Sequence, residues 1–132
     1  MKQAIGRVRT ARPRLKATFD PFLALLEEHG LPAPQTEYLF AAENGRKWRA
    51  DYCWRSRYIA AKNGGLGIES RDVIVEKNGG IWRKSGHSSG RGLLRDYEKA
   101  NTAQLQGFLY LTFTPQQLML QSTLNTLRGL LT

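Results

Sequence analysis

Val73-Ile-Val-Glu-Lys-Asn-Gly-Gly-Ile-Trp82 decides how the rest of the chain is read. Its β-branched opening favours a strand, and Asn78-Gly79-Gly80 supplies residues that end one in a turn. Side chains alternate along a strand, so Ile74, Glu76 and Asn78 share one face while Val75 and Lys77 share the other. A carboxylate near the end of so apolar a strand needs a partner, a metal ion or a route to solvent. Upstream, Lys47 to Trp54 alternates as a second strand, with Arg49, Asp51 and Cys53 on one face and Trp48, Ala50, Tyr52 and Trp54 on the other. The aromatic face is the one to bury, which leaves Asp51 on the more accessible side. Asp51 and Glu76 are therefore two acids on strands expected to be neighbours.

Outward from this pair, the elements follow from their local signals. Asp20 is the expected cap of a first helix with Pro21 at its first position, an apolar stripe of Phe19, Phe22, Leu23 and Leu26, and an end at Gly30 and Pro32. Glu27 and Glu28 fall in its last turn, where the helix dipole disfavours acids. Thr36 to Ala42 reads as a strand joined to Lys47–Trp54 through an Asn44-Gly45 turn. After Trp82 comes a Gly-rich polar loop, then a helix from Leu93 to about Gln106 with Leu93, Tyr97, Ala100, Gln104 and Leu105 as its inner face; Arg95, Asp96 and Lys99 share another. Phe108 to Phe113 is a buried strand. Thr114-Pro115-Gln116-Gln117 is a capping box that opens the final helix, with Leu120, Leu124, Leu127 and Leu131 in one stripe. The order α-β-β-(insert)-β-α-β-α predicts an α/β sandwich around a mixed sheet.

The insert is residues 55–70. Tyr58-Ile-Ala-Ala-Lys-Asn-Gly-Gly lines up with Val73-Ile-Val-Glu-Lys-Asn-Gly-Gly, as a local duplication or a chance match in turn-rich sequence. Ala61 stands where the second copy has Glu76. The expectation is an extra hairpin beside the site.

The chain has 132 residues, enough for one domain with its own core, and 20 Lys and Arg against 11 Asp and Glu give a formal charge of +9. That excess points to a polyanion, and nucleic acid is the usual one. Residues 1–16 hold Lys2, Arg7, Arg9, Arg12, Arg14 and Lys16 without an acid, which reads as a basic arm for phosphates ahead of a single domain over 17–132. No apolar run is long enough to span a membrane, and the N-terminus lacks the apolar segment of a signal peptide, so the expected location is the cytoplasm. With one cysteine, Cys53, and only His29 and His87 beside it, an internal disulfide is excluded and a structural zinc site is not expected.

Two carboxylates that leave positions for water and phosphate suit magnesium, with manganese as a substitute, and a nearby cation stabilises the charge that builds up when a phosphodiester is hydrolysed. Asp51 and Glu76 are the candidate ligands, with Asn78 beside them. Along the chain, Lys47-Trp-Arg-Ala-Asp51, Val75-Glu-Lys-Asn-Gly-Gly-Ile-Trp82, Gly86-His-Ser-Ser-Gly90, Arg95-Asp-Tyr-Glu-Lys-Ala-Asn101 and Phe113-Thr-Pro115 follow in order. This series resembles the PD-(D/E)XK nuclease superfamily, in its small very-short-patch-repair-like and phage-type branch, over roughly residues 35–131. The resemblance implies a restriction-endonuclease-like three-layer sandwich, with helices on both faces of a mixed sheet. It further implies a magnesium-dependent DNA endonuclease with Asp51 and Glu76 as ligands. Asn78 stands where the family pattern has lysine; relatives often carry that basic group on the following helix, which makes Lys99 the expected substitute and Lys77 the second.

Other roles follow from position. Arg83, Lys84, Ser88, Ser89 and Arg91 are placed to contact phosphate, and His87 is either a phosphate-contacting loop residue, a general base or neither. Glu37, on the first strand, is a further acid able to approach the metal. The expected substrates are branched, mismatched or nicked DNA in repair, recombination or phage DNA processing. A catalytically silent nucleic-acid-binding module on the same fold is the alternative. A homodimer would suit junction cleavage, although no residue demands one.

Overall fold

In the computed structural model, residues 19–56, 58–60, 66–68, 72–79 and 90–132 are described. Helix α1 (Pro21–Glu28) begins as its sequence dictates, with the Asp20 carboxylate accepting the Phe22 N–H at 2.9 Å and Pro21 at the first position. Phe22 and Leu26 are buried and Leu23 is partly so, but Phe19 is exposed rather than part of the stripe, because it precedes the cap. Strands β1 (Gln35–Leu39) and β2 (Arg49–Trp54) pair antiparallel, linked by a 3-10 turn over Ala42–Asn44 with Gly45 in the left-handed region at φ 77°. Strands β3 (Tyr58–Ala60) and β4 (Leu66–Ile68) pair antiparallel in a two-stranded sheet of their own, within the segment read as an insert.

The quoted stretch supplies β5 (Val73–Lys77), antiparallel to β2. Helix α2 (Gly90–Leu105) then returns the chain to β6 (Leu109–Phe113), which lies parallel to β5. A parallel pair requires such a crossover, and the helix supplies it. The sheet order is β1-β2-β5-β6. Thr114 and Gln117 form the expected capping box, each side chain satisfying the other's backbone N–H at 3.0 Å.

The terminal helical region is not continuous. Helix α3 (Pro115–Leu118) stops after one turn, Leu120 takes an extended conformation as the next N-cap, and α4 (Gln121–Leu131) follows. Leu120 is therefore exposed and leaves the stripe, which consists of Leu124, Leu127 and Leu131 with Leu118. The Thr123 hydroxyl donates to the Gln117 carbonyl at 2.6 Å and holds the two helices at their bend.

Helices cover both faces of the sheet. On one, Phe22, Leu26, Leu118, Leu124, Leu127 and Leu131 pack on Tyr52, Trp54, Val73 and Val75. On the other, Ala103 of α2 closes a smaller core of Ala41, Ala50, Cys53, Ile74, Phe40 and Phe108. Alternation along β5 therefore points its odd residues at α1 and α4 and its even residues at α2. Burial pushes the Cys53 thiol up to about 12, as befits a small core residue. Among the described residues, no helix is long and apolar enough to cross a membrane.

Candidate functional site

Register brings the two acids together. The pairing of Tyr52 with Val75 sets Asp51 level with Glu76 across β2 and β5, and Glu76 pairs in turn with Thr112 on β6. The regular ladder ends at Tyr52 because Asp51 takes over: its Oδ2 accepts the Lys77 backbone N–H at 2.7 Å. Like charges directly opposite one another on a sheet are destabilising. The fold tolerates this pair by roofing it with a cation.

That cation is Lys99. Its Nζ lies 3.2 Å from Glu76 Oε2, with the side chains only 19% and 12% exposed. Contact at this distance lacks the alignment of a hydrogen bond, so Oε2 is a buried acceptor without a hydrogen-bond partner. Burial raises the Glu76 carboxyl to about 7; the Lys99 ammonium opposes the rise and the charge of Asp51 adds to it. A glutamate raised toward neutrality by burial, beside a second acid in an open cleft, is a candidate for a functional group.

The cleft has a volume of about 500 Å³ and contains Asp51, Glu76, Lys77, Asn78 and Lys99 together. Five of the residues expected from sequence to form one centre thus line one cleft. Alternation points Lys77 toward the α1 side, where it also borders a smaller cavity of about 110 Å³ with Asp20, Glu37 and Asp51. Glu37 lies level with Asp51 in the β1–β2 register and has a left-handed backbone, φ 52°, which is strained for a residue with a side chain. It faces the smaller cavity and does not line the main cleft. Glu27 and Glu28 are exposed, at the end of α1 opposite Asp20, and border neither cavity. Arg91 is exposed on the first turn of α2. The arm residues Arg7, Arg9, Arg12, Arg14 and Lys16, and the loop residues Arg83, Lys84, His87, Ser88 and Ser89, lie outside the described residues.

Comparison with family models, curated proteins and solved structures finds no match to this chain.

The inner face of α2 is where sequence reasoning went wrong. Leu93, Tyr97, Gln104 and Leu105 are exposed, and of the expected face only Ala100 is half-buried, bordering the cleft with Leu93 and Tyr97. The more covered residues are Gly92, Asp96, Lys99 and Ala103, at steps of four, three and four. Large apolar side chains usually mark the buried stripe. Here the helix roofs a polar cleft over half its length and packs with glycine and alanine elsewhere, which inverts the pattern. Asp96 thereby joins the cleft, as do Tyr110 and Thr112 of β6. Their signal was available: they alternate with Leu109 and Leu111 on a strand, so they share the face of Ile74 and Glu76, with which they pair. Burial raises the Tyr110 hydroxyl well above its ordinary value, with Glu76, Asp96 and Asp51 adding to the rise.

Elsewhere the arrangement is structural. The Tyr52 hydroxyl donates to Asp20 at 2.7 Å, and the Trp54 indole N–H donates to the Pro32 carbonyl at 2.8 Å; both tie β2 to the α1 region. Arg46 pairs with Glu98 at 2.8 Å and stacks over Trp48, fastening the β1–β2 connection to α2.

Among the described residues, no three His, Cys, Asp or Glu side chains group closely enough to hold a metal ion by themselves. The donor set is nevertheless of the kind magnesium takes, one or two carboxylates with water and substrate oxygen completing the shell. The unsatisfied Glu76 Oε2 beside a second acid is the observation that fits such an ion.

Proposed function

We propose that this chain is a divalent-metal-dependent DNA endonuclease of the PD-(D/E)XK kind, on a restriction-endonuclease-like fold, acting in the cytoplasm on branched, mismatched or nicked DNA. The observation that carries the reading is the pair of acids Asp51 and Glu76, set level on neighbouring strands, with a buried Glu76 Oε2 that lacks a hydrogen-bond partner and is roofed by Lys99 in an open cleft.

Asp51 and Glu76 would hold magnesium, or manganese in its place, with Asn78 beside them. When bound, the ion supplies charge neutralisation on the phosphate and an acidified water. The Lys77 N–H fixes the orientation of the Asp51 carboxylate by hydrogen bonding. Lys99 places a positive charge over the acids, where it can pair with a phosphate oxygen and stabilise the negative charge that develops on it. The role falls to a helix residue because Asn78, two residues past Glu76, is not a cation. The net charge of +9 supplies long-range attraction to the backbone.

Metal-dependent nicking of branched and linear DNA, compared with Asp51→Ala and Glu76→Ala, tests the proposal. Loss of cleavage with binding retained is the expected result, and absence of cleavage by the wild type in magnesium or manganese would overturn it. One observation favours the second reading, a silent DNA-binding module. The Lys99 ammonium already neutralises Glu76 at 3.2 Å, which is what a structural ion pair does. In that case Lys99→Ala leaves DNA binding intact and the wild type cleaves nothing.

A further inference from the structure

The helix that carries Lys99 also presents an outer surface that the fold leaves exposed. Leu94 is 66% exposed, Tyr97 59% and Leu93 40%. At 3.6 residues per turn these three form one crest along the first two turns of α2. Leu93 and Tyr97 also line the cleft, so the crest is its rim. On the other side of the crest stand Arg91 and Arg95, one turn apart and exposed, and the acid on that flank, Glu98, is engaged by Arg46. Crossing the helix therefore leads from an acid-and-ammonium cleft, over an apolar ridge, to a cationic flank. Singly scattered apolar residues on a surface need no explanation, but an aromatic and two leucines bridging these two features do.

We infer that α2 is a stacking platform for a single-stranded stretch of nucleic acid, with a base on the Tyr97 ring, Leu93 and Leu94 extending the apolar surface, and backbone phosphates at Arg91 and Arg95. The position of the cleaved bond in the adjoining cleft rests on the function proposed above. The inference narrows its substrate to DNA with an unpaired nucleotide beside that bond. Sites for single strands combine a cationic track for the backbone with aromatic faces that accept any base. A base inside an uninterrupted duplex has both faces covered by its neighbours and reaches Tyr97 only at the cost of unstacking. A second copy of this chain suits the crest less well. A two-fold interface sets the same patch against itself and so brings the Arg91 and Arg95 flanks together, in a chain already carrying +9.

Fluorescent oligonucleotides with 2-aminopurine at an unpaired position, titrated with metal-free protein, provide the test. Tyr97→Ala should bind the unpaired substrate about tenfold more weakly than the wild type, Tyr97→Phe within about twofold of it, and all three should bind fully paired duplex alike. Removing both Arg91 and Arg95 should reduce the salt slope on the single strand by about one. Equal affinity of Tyr97→Ala and wild type for the unpaired substrate overturns the inference. So does a wild-type dimer in sedimentation that Leu94→Asp converts to monomer without changing oligonucleotide binding, since the crest is then a subunit contact. Cleavage in magnesium, measured in parallel, separates the two readings. Base stacking without cleavage supports the platform and removes the nuclease; cleavage indifferent to unpaired bases removes the platform alone.

Discussion

Replacing Glu76 by Gln keeps the size of the side chain and abolishes its titration, and the metal-free variant should retain stability that the wild type loses as the pH rises through neutrality. In the unfolded chain Glu76 gives up its proton near the ordinary glutamate value of 4.5, whereas in the fold burial holds it until about 7. Between those values the native state binds more protons than the unfolded one, so stability falls with rising pH. Below that window both states keep the proton, and above it both have lost it, so the dependence flattens at either end. From 4.5 to about 7, at about 1.4 kcal/mol per pH unit, the loss is about 3 kcal/mol. That corresponds to roughly 10 °C in melting temperature for a chain of this size. Urea denaturation in the presence of a chelator, for wild type and Glu76→Gln from roughly pH 4 to 9, measures it. The stability difference in favour of the variant should grow by about 3 kcal/mol across the window. Identical pH dependence in the two proteins would refute the account of Glu76 as a buried, reluctantly ionised acid. Adding magnesium above pH 7 should restore stability to the wild type by mass action and do nothing for the variant.

Lys99→Ala should reduce cleavage by about 100-fold or more while leaving DNA binding close to normal, and a near-normal single-turnover rate would remove Lys99 from its role. The same substitution should extend the pH-dependent loss of metal-free stability to higher pH, because the ammonium is what opposes the upward displacement of Glu76; an unshifted window in urea titrations would contradict the ion pair. Deleting residues 1–16 should weaken DNA binding and flatten its salt dependence without altering the rate of the bound complex, and an unchanged salt slope would mean that the arm does not contact phosphates. Leu127→Ala should cost about 2–5 kcal/mol in urea denaturation, since Leu127 is fully buried between α4 and the sheet; a loss under about 1 kcal/mol would show that this core is not packed as described.

Elements with strong local chemistry were legible in the sequence. Asp20-Pro21 and the Thr114 capping box set helix starts because cap geometry is decided within four residues. The order of strands and helices and the meeting of Asp51 and Glu76 followed from period and position, whereas Lys99 entered only through the family resemblance. What sequence could not supply was the partner of each face. Leu120 fits the final stripe by period, yet the chain bends there and α3 packs as a separate turn. Tyr97 and Leu105 look like the inner face of α2 until the sheet beneath proves to end in two acids, which the ammonium of Lys99 turns to face. Trp48 and Ala50, assigned to the face opposite Cys53, pack with it in the smaller core, while Tyr52 and Trp54 face the larger one. Alternation therefore breaks within β2, at Asp51, whose partner across the β1–β2 register is Glu37 with its left-handed backbone.

The ammonium in this site belongs to a crossover helix, whereas both acids belong to the sheet. Two strands alone would present only mutual repulsion at their margin, so docking of α2 is what brings a compensating charge to Asp51 and Glu76. Besides the Lys99–Glu76 pair, that helix is anchored through Gly92 and Ala103, residues with little area to bury, and through the Arg46–Glu98 pair at its edge. The opposite helical layer is held by phenylalanine and leucine throughout. Warming should therefore detach the roof before it melts the sheet. Amide exchange in α2 would rise first, and the enzyme proposed here would lose turnover at a temperature where most of its backbone still reads as native.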